Sequence, residues 1–211
     1  MADQNLFDRY LLALRKTPVD EKTEHTDRGA LQLLLQDIAD ETQKGVKVQH
    51  EPKRVADKGA PDFKITKGGL ILGYVENKTV GETLDKVLKS DQIKRYKSLS
   101  HNIILTDYLH FIWINKDGIQ RESLCHVTDL ENAKFKLKED RVQAVAKLLQ
   151  GFFSTAPEGI GRAQQLALAL ATRSKLLHDY LGEELVRQES AHKEAGCMGS
   201  FKSFAIRSSM N

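Results

Sequence analysis

Cysteine is scarce in this sequence, and the two cysteines present, Cys125 and Cys197, show neither a zinc-site spacing nor a disulfide framework. The seven histidines are scattered and supply no His-x-x-x-His pair on a plausible helix. These absences argue against a transition-metal centre. A site for a hard cation, built from carboxylate oxygens, stays open.

Long hydrophobic runs are also lacking. The apolar run from Leu31 to Leu35, interrupted by Gln32, falls far short of the ~18–20 residues that cross a bilayer. The N-terminus lacks the basic and apolar segments of a secretory signal, so we expect a cytoplasmic protein with no membrane partner. With 211 residues, 40% hydrophobic and 29% charged, the chain fits one globular domain, with or without a helical extension.

Apolar periodicity divides the chain into a mixed first part and a helical second part. It predicts helices over 4–15, 24–42 and 82–99, and strands over 46–50, 63–66, 70–78, 102–107, 111–115 and 120–127. The turn Lys67-Gly68-Gly69 joins two of these strands. This order indicates a mixed α/β core in which helices flank a central sheet.

From about residue 130 onward the pattern is helical, with helices predicted over 138–154 and 159–190. The end of the chain loses both periodicity and helix propensity. We therefore expect a core over 1–130, a helical extension or connector over 131–194, and an irregular tail over 195–211.

The residues that carry chemistry are Pro61-Asp62, then thirteen intervening residues, then Glu76-Asn77-Lys78. Glu76 and Lys78 are two apart on a predicted strand, so both side chains leave the same face. Asp62 begins the preceding strand, and hairpin geometry can bring it beside Glu76. Solvated surface charge is the alternative interpretation of these residues taken alone.

Hydrolysis of a phosphodiester bond needs such a set. Asp62 and Glu76 can hold one or two Mg²⁺ ions, with the backbone carbonyl of Asn77 as a further ligand. The metal polarises the phosphoryl oxygen and lowers the pKa of an attacking water. Lys78 can orient that water and offset developing negative charge.

Two further features favour the catalytic interpretation. The apolar stripe of the helix predicted over 82–99 includes Gln92 and Tyr96, and a buried glutamine needs a polar partner. Glu24 lies seven residues before Leu31 at the start of a predicted helix, which points it toward the same inner face. A glutamine at the rim of the stripe and an acidic residue that complements the helix dipole are the alternatives.

The net charge of +3 says little about nucleic acid by itself, but the basic residues are concentrated. Between residues 53 and 97 the lysines and arginines are dense enough for a phosphate-facing surface. Lys53 and Arg54, just upstream of Asp62, are the candidates for phosphate contact. A solvated basic loop is the alternative.

At these residues the sequence resembles the PD-(D/E)xK nuclease superfamily. Asp62, Glu76 and Lys78 match its hallmark motif, and Glu24 matches the acidic residue that many members carry on an early helix. The resemblance implies a restriction-endonuclease-like α/β fold, with a mixed central sheet flanked by helices and followed here by a C-terminal helical extension.

A closer resemblance covers about residues 5–125. Gln92-x-x-x-Tyr96 looks like the Q-x-x-x-Y motif of the branch that includes exonuclease-type recombination nucleases and some restriction enzymes. The chain is similar to the nuclease domain that opens large bacterial restriction–modification polypeptides, through the segments TDRGALQLLL, GAPDF, GYVENK, QIKRY and NIILTDYLHFIWI. In those proteins an adenine-specific DNA methyltransferase follows.

The resemblance implies a Mg²⁺-dependent endonuclease acting on double-stranded DNA in a restriction–modification system. This sequence has no glycine-rich cofactor motif and no Asn-Pro-Pro-Tyr-like motif, so it lacks the methyltransferase part. A methyltransferase or specificity partner, or a downstream domain, is therefore expected to complete it. The alternatives are a non-catalytic DNA-binding or interaction module of the same fold, and a DNA-repair or mobile-element nuclease.

Overall fold

The computed structural model describes residues 4–50, 61–157 and scattered positions between 170 and 187. The chain divides into two compact units, Met1–Gly161 and Arg162–Asn211. The first unit contains helices and strands with these bounds: α1 Gln4–Leu14, α2 Arg28–Thr42, β1 Val46–His50, β2 Phe63–Lys67, β3 Leu70–Asn77, α3 Leu84–Leu88, α4 Asp91–Lys97, β4 Ile103–Thr106, β5 His110–Asn115, β6 Gly118–Ser123, α5 Val127–Glu131 and α6 Glu139–Ser154.

The strands form one six-stranded sheet in the order β1-β2-β3-β4-β5-β6. Neighbouring strands are antiparallel except β3 and β4, which are parallel and are joined through α3 and α4. A parallel pair needs such a crossover, whereas a short turn suffices for an antiparallel pair. The structure confirms the predicted α/β fold: a mixed sheet flanked by helices, consistent with a restriction-endonuclease-like fold.

Two hydrophobic clusters cover the two faces of the sheet. The larger joins α1, α2 and α6 to one face through residues such as Phe7, Leu35 and Phe152. The smaller joins α3 and α4 to the other face through residues such as Ile93 and Leu105. Alternation along the strands therefore sends successive side chains to different helical layers.

The β2–β3 hairpin places the acidic residues. Gly68 and Gly69 have φ values of 57° and 82°, a left-handed backbone that glycine adopts at little cost. The register pairs Phe63 with Val75, so Asp62, just before β2, falls beside Glu76. The predicted hairpin therefore does bring the two carboxylates to the same end of the sheet.

The helix predicted over 82–99 is two short helices in the structure. Ser90 has extended backbone dihedrals, and its hydroxyl accepts a hydrogen bond from Ile93 N at 3.4 Å. A serine at this position caps a new helix and ends the continuity of the previous one. Both helices still direct apolar side chains to the same cluster, among them Leu84, Val87, Ile93 and Tyr96.

The helix predicted over 138–154 is α6, and it packs within the larger hydrophobic cluster of the first unit. The positions described between 170 and 187 are helical, and Leu170, Leu177, Leu181 and Leu185 are exposed there. The tail over 195–211 lies outside the described residues, as do Lys53 and Arg54. The proposed boundaries at residues 130 and 194 stay predictions. In the described part of the chain, no helix has the length and apolar character needed to span a membrane.

Candidate metal centre

Three carboxylates meet at the end of β3. Asp62 precedes β2, Glu76 lies in β3, and Glu24 lies in the turn before α2. One oxygen from each of the three lies within 4.8 Å of the others. Asp62 and Glu76 are buried, and Glu24 is partly exposed. Such a group of oxygen donors has the character that Mg²⁺ and similar hard cations require.

Lys78 forms ion pairs with two of these carboxylates. Its Nζ lies 2.7 Å from Glu24 Oε1 and 2.8 Å from Glu76 Oε1. The Lys78 backbone N–H donates to Thr106 O at 2.8 Å, which holds the residue against β4 just beyond the end of β3. Burial lowers the pKa of the Lys78 ammonium, but its hydrogen bonds to Glu24 and Glu76 outweigh burial and raise the pKa above its ordinary value.

The two carboxylate oxygens of Glu76 differ in their hydrogen bonds. Its Oε1 accepts hydrogen bonds from Lys78 Nζ and, at 2.6 Å, from Gln92 Nε2. Its Oε2 is buried and has no hydrogen-bond partner among the described residues. A buried carboxylate oxygen without a donor is unfavourable unless something else binds it. Because one Glu76 oxygen also lies within 4.8 Å of oxygens of Glu24 and Asp62, this carboxylate fits a metal ligand.

Helix α4 brings Gln92 and Tyr96 to this centre. Gln92 Nε2 also donates to Tyr96 OH at 3.2 Å, so the amide bridges the carboxylate and the phenol. Burial, with the Glu76 carboxylate second, raises the pKa of Tyr96 to about 12. The polar partner that a glutamine on the apolar stripe requires is Glu76.

Asp62 makes two contacts that involve opposite ends of its carboxylate. Oδ1 forms an ion pair with the guanidinium of Arg28, the first residue of α2. Oδ2 accepts from the Asn77 backbone N–H at 2.8 Å. Burial raises the pKa of Asp62, while the Asn77 N–H and Arg28 act in the opposite direction.

Glu24 reaches the centre by a different route from the one predicted. Helix α2 begins at Arg28 and not at residue 24, so helical spacing to Leu31 is not what directs Glu24 inward. The turn is closed by hydrogen bonds between Thr23 and Thr26, including a 2.9 Å bond from Thr23 N to Thr26 Oγ1. Threonine hydroxyls compete with the helix for backbone donors, which delays its start.

Two residues anchor the Glu24 turn to the sheet. Asn77 Nδ2 donates to Glu24 O and to Tyr108 OH, both at 2.8 Å, and Tyr108 OH donates to Glu24 O at 2.6 Å. Tyr108 is fully buried and has φ 74°, a left-handed conformation that is costly for a bulky residue. This backbone conformation places the Tyr108 hydroxyl within hydrogen-bond distance of Asn77 and of the Glu24 carbonyl. Those hydrogen bonds offset its cost.

The sequence therefore identified six residues that the structure brings together: Glu24, Asp62, Glu76, Lys78, Gln92 and Tyr96. Their catalytic roles stay predictions, as does the carbonyl of Asn77 as a ligand. Arg28 was missed because an arginine at a helix start has no distinguishing sequence pattern. The left-handed backbone that brings the Tyr108 hydroxyl to Glu24 and Asn77 has no signature in the sequence.

Glu76 has a strongly shifted pKa. Burial, with the negative charge of Asp62 second, raises the pKa of Glu76 to about 7 against the opposing effect of Lys78. The centre thus collects more negative charge than its own cations neutralise. A divalent cation would relieve that excess, and Glu24, Asp62 and Glu76 are the side chains placed to hold it.

A cleft of about 470 Å³ is lined by residues that follow β3 and β4 and by residues of β5 and β6, and none of its lining residues belongs to the acidic centre. Four of its charged groups form ion pairs. Arg121 contacts Asp85 at 2.8 Å, and His110 Nδ1 contacts Asp107 Oδ2 at 3.0 Å.

Fold and site together define an α/β protein with a restriction-endonuclease-like sheet and a cluster of acidic residues suited to a metal at one end. No protein-family model and no curated protein matches the chain. Among solved structures, a chain of the DrdV–DNA complex, determined by cryo-electron microscopy, matches with a TM-score of 0.56 and 23% identity. The match covers 74% of this chain and 14% of that one, so this chain spans a small fraction of its neighbour's length.

Proposed function

We propose that this chain is a Mg²⁺-dependent DNA endonuclease domain of the PD-(D/E)xK class, in which Asp62, Glu76 and Lys78 form the catalytic centre. The observation that carries the proposal is the Glu76 carboxylate: its buried Oε2 has no hydrogen-bond partner among the described residues, and the group lies near two further carboxylates and a lysine. Binding of DNA alone requires no carboxylates next to a phosphate, which they would repel without a metal.

Glu24, Asp62 and Glu76 would hold one or two Mg²⁺ ions. When bound, the metal would polarise the phosphoryl oxygen and lower the pKa of the attacking water. Lys78 stays protonated at neutral pH and can donate to that water or to the phosphoryl oxygen. Gln92 keeps the Glu76 carboxylate oriented, since its amide binds Oε1 and leaves Oε2 for the metal.

The substrate we propose is double-stranded DNA. The DrdV structure, part of which resembles this fold, is a complex with DNA. Lys53 and Arg54 are proposed to contact backbone phosphates of that DNA. We further propose that the domain belongs to a restriction–modification system and works with a methyltransferase or specificity partner, or with a further domain, because this sequence has no methylation motif.

Cleavage of supercoiled plasmid DNA tests the proposal. We expect nicking or linearisation with Mg²⁺ or Mn²⁺, none with EDTA, and losses on the order of 10²-fold or more for Asp62→Asn and Lys78→Ala. The matched controls are Asp117→Asn and Lys116→Ala, the same changes at exposed positions in the turn between β5 and β6, outside the basic stretch over 53–97. Both controls should cut like wild type.

Three results would contradict the proposal. Equal cutting by the Asp62 and Lys78 variants would place catalysis elsewhere. Binding of duplex DNA without cutting in any metal would favour a non-catalytic binding module of the same fold. Cutting confined to damaged or branched DNA would favour a repair nuclease over a restriction enzyme.

A further inference from the structure

Arg28 is the one cation bound to Asp62 by an ion pair in the described part of the chain, and it stands in an unfavourable place for a positive charge. It is the first residue of α2, a helix of 15 residues. The N-terminus of a helix carries partial positive charge and disfavours a cation. The Arg28 side chain is also only 10% exposed. Its ion pair with Asp62 offsets part of both costs.

The formal charges of the centre show how the Arg28–Asp62 ion pair affects its net charge. Glu24, Asp62 and Glu76 supply three negative charges when all are ionised, and Lys78 and Arg28 supply two positive ones. Without metal the centre is therefore close to neutral, with one negative charge in excess. A bound divalent cation would reverse that sign, and a positive centre attracts the single negative charge of a phosphodiester.

We propose that Arg28 is a built-in counter-ion that competes with the metal for Asp62. It holds the carboxylate in the metal-free protein, weakens divalent-cation binding, and makes the metal-bound centre positive. This inference rests on the proposed metal site. It treats Arg28 as a positioning residue, since the side chain contacts a ligand and not the reacting atoms.

Competition with the metal and a purely structural role predict opposite changes in metal affinity when Arg28 is removed. If Arg28 only oriented Asp62, removing it would misplace a ligand and weaken metal binding. If Arg28 competes with the metal, Arg28→Gln should bind Mg²⁺ and Mn²⁺ about tenfold more tightly, because a repulsive charge is gone while a donor to Asp62 remains. Arg28→Lys keeps the charge and should bind close to wild type.

Isothermal titration of the whole chain with Mn²⁺ provides the measurement, with Arg95→Gln on the exposed side of α4 as the control for loss of one positive charge. Tighter binding by Arg28→Gln, with Arg95→Gln unchanged, supports the proposal. Unchanged or weaker binding by Arg28→Gln overturns it while leaving the metal site intact. Absence of binding by wild type and Arg28→Gln alike overturns both the metal site and this inference.

Removing one partner of a buried ion pair is strongly destabilising, so Arg28→Gln also needs a check that does not depend on its folding. In wild-type protein labelled with ¹⁵N-arginine, the Nε–H signal of Arg28 can be assigned by its loss in Arg28→Lys. We expect that signal to shift on addition of Mg²⁺ and the Arg95 signal to stay in place. A constant Arg28 signal at a metal concentration that saturates binding would overturn the proposal.

Discussion

Glu76, near the end of β3, and Asp107, just after β4, lie at the same end of neighbouring strands, and both are buried, with exposed fractions of 3% and 1%. Asp107 accepts from the backbone N–H groups of Gly81, Leu109 and His110 and contacts the His110 ring through both oxygens. Glu76 leaves Oε2 without a donor among the described residues. Burial of a carboxylate is therefore not the functional signal; incomplete satisfaction of a buried carboxylate is.

The same contrast separates the two regions around these residues. The region of Asp107 is a closed network that organises the turn between β4 and β5. The region of Glu76 has excess negative charge and depends on Lys78 and Arg28 for partial neutralisation. We expect mutations in the first region to change stability and mutations in the second to change metal binding.

Asp107→Ala should give the largest change in stability. It leaves the backbone N–H groups of Gly81, Leu109 and His110 without their acceptor, at about 1–3 kcal/mol for each buried unsatisfied donor. We expect the free energy of unfolding, measured with urea, to fall by about 3 kcal/mol or more. Mg²⁺ affinity of the folded variant should stay within about twofold of wild type; a loss comparable to that of Glu76→Gln would make the two regions one site.

Glu76→Gln should show the reverse behaviour. The variant keeps an oxygen that can accept from Lys78 and Gln92 but loses the anionic ligand, so Mg²⁺ affinity should fall by about 100-fold or more. In EDTA at pH 8 its free energy of unfolding should not fall, because the buried charge is gone. Titration calorimetry and urea unfolding measure the two effects. Destabilisation as large as that of Asp107→Ala would show that Glu76, like Asp107, serves mainly to stabilise the fold.

The pH dependence of stability should sharpen the comparison. The pKa of Glu76 is raised from its ordinary value of 4.5 to about 7. Between these two pH values the folded state therefore binds more protons than the unfolded state. Metal-free stability should therefore fall as pH rises through that window. The pKa of His110 is raised by its hydrogen bond to Asp107, and this contribution is also lost as pH rises through the raised pKa.

Addition of Mg²⁺ separates these two contributions. The metal should restore the stability lost on ionisation of Glu76, so the rise in melting temperature with Mg²⁺ should be larger at pH 8 than at pH 6. Replacing Asp107 should leave this metal effect unchanged. Equal Mg²⁺ stabilisation at both pH values would show that Glu76 is not a ligand.

Tyr108→Phe should have the smallest effect. It removes one hydroxyl that links Asn77 and the Glu24 carbonyl but keeps the ring in the core. We expect a loss of about 1 kcal/mol in stability and about fivefold in Mg²⁺ affinity. Ring size is unchanged, so loss of the fold in this variant would show that the hydroxyl network, and not the packed ring, holds the left-handed backbone at Tyr108.

Local patterns predicted a large part of this centre. Glu76 and Lys78 share a strand face because side chains alternate along a strand, and Asp62 meets Glu76 because a short glycine turn forces the hairpin. Gln92 is predicted to need a polar partner because its polar side chain interrupts an apolar stripe. Each of these inferences depends on residues close in sequence, or on a periodicity that holds wherever the element packs.

Other features depend on distances that no local pattern encodes. The helix predicted from residue 24 begins at Arg28 because threonine hydroxyls close a turn first, and the helix predicted over 82–99 is divided at Ser90 by its cap. Each of these helix boundaries is decided between local structures of similar free energy. The surrounding fold decides such competitions.

By itself the sequence determined which residues alternate, where the β2–β3 hairpin turns, and which side chains have the chemistry to bind a hard cation. The tertiary structure decided that β3 lies parallel to β4 and that Arg28 pairs with Asp62. It also decided that Asp107 accepts several hydrogen bonds while Oε2 of Glu76 accepts none from the described residues. The physical reason is the distance along the chain over which each effect acts. Alternation and turn geometry act over a few residues, whereas burial and charge balance are sums over neighbours that only the folded chain brings together.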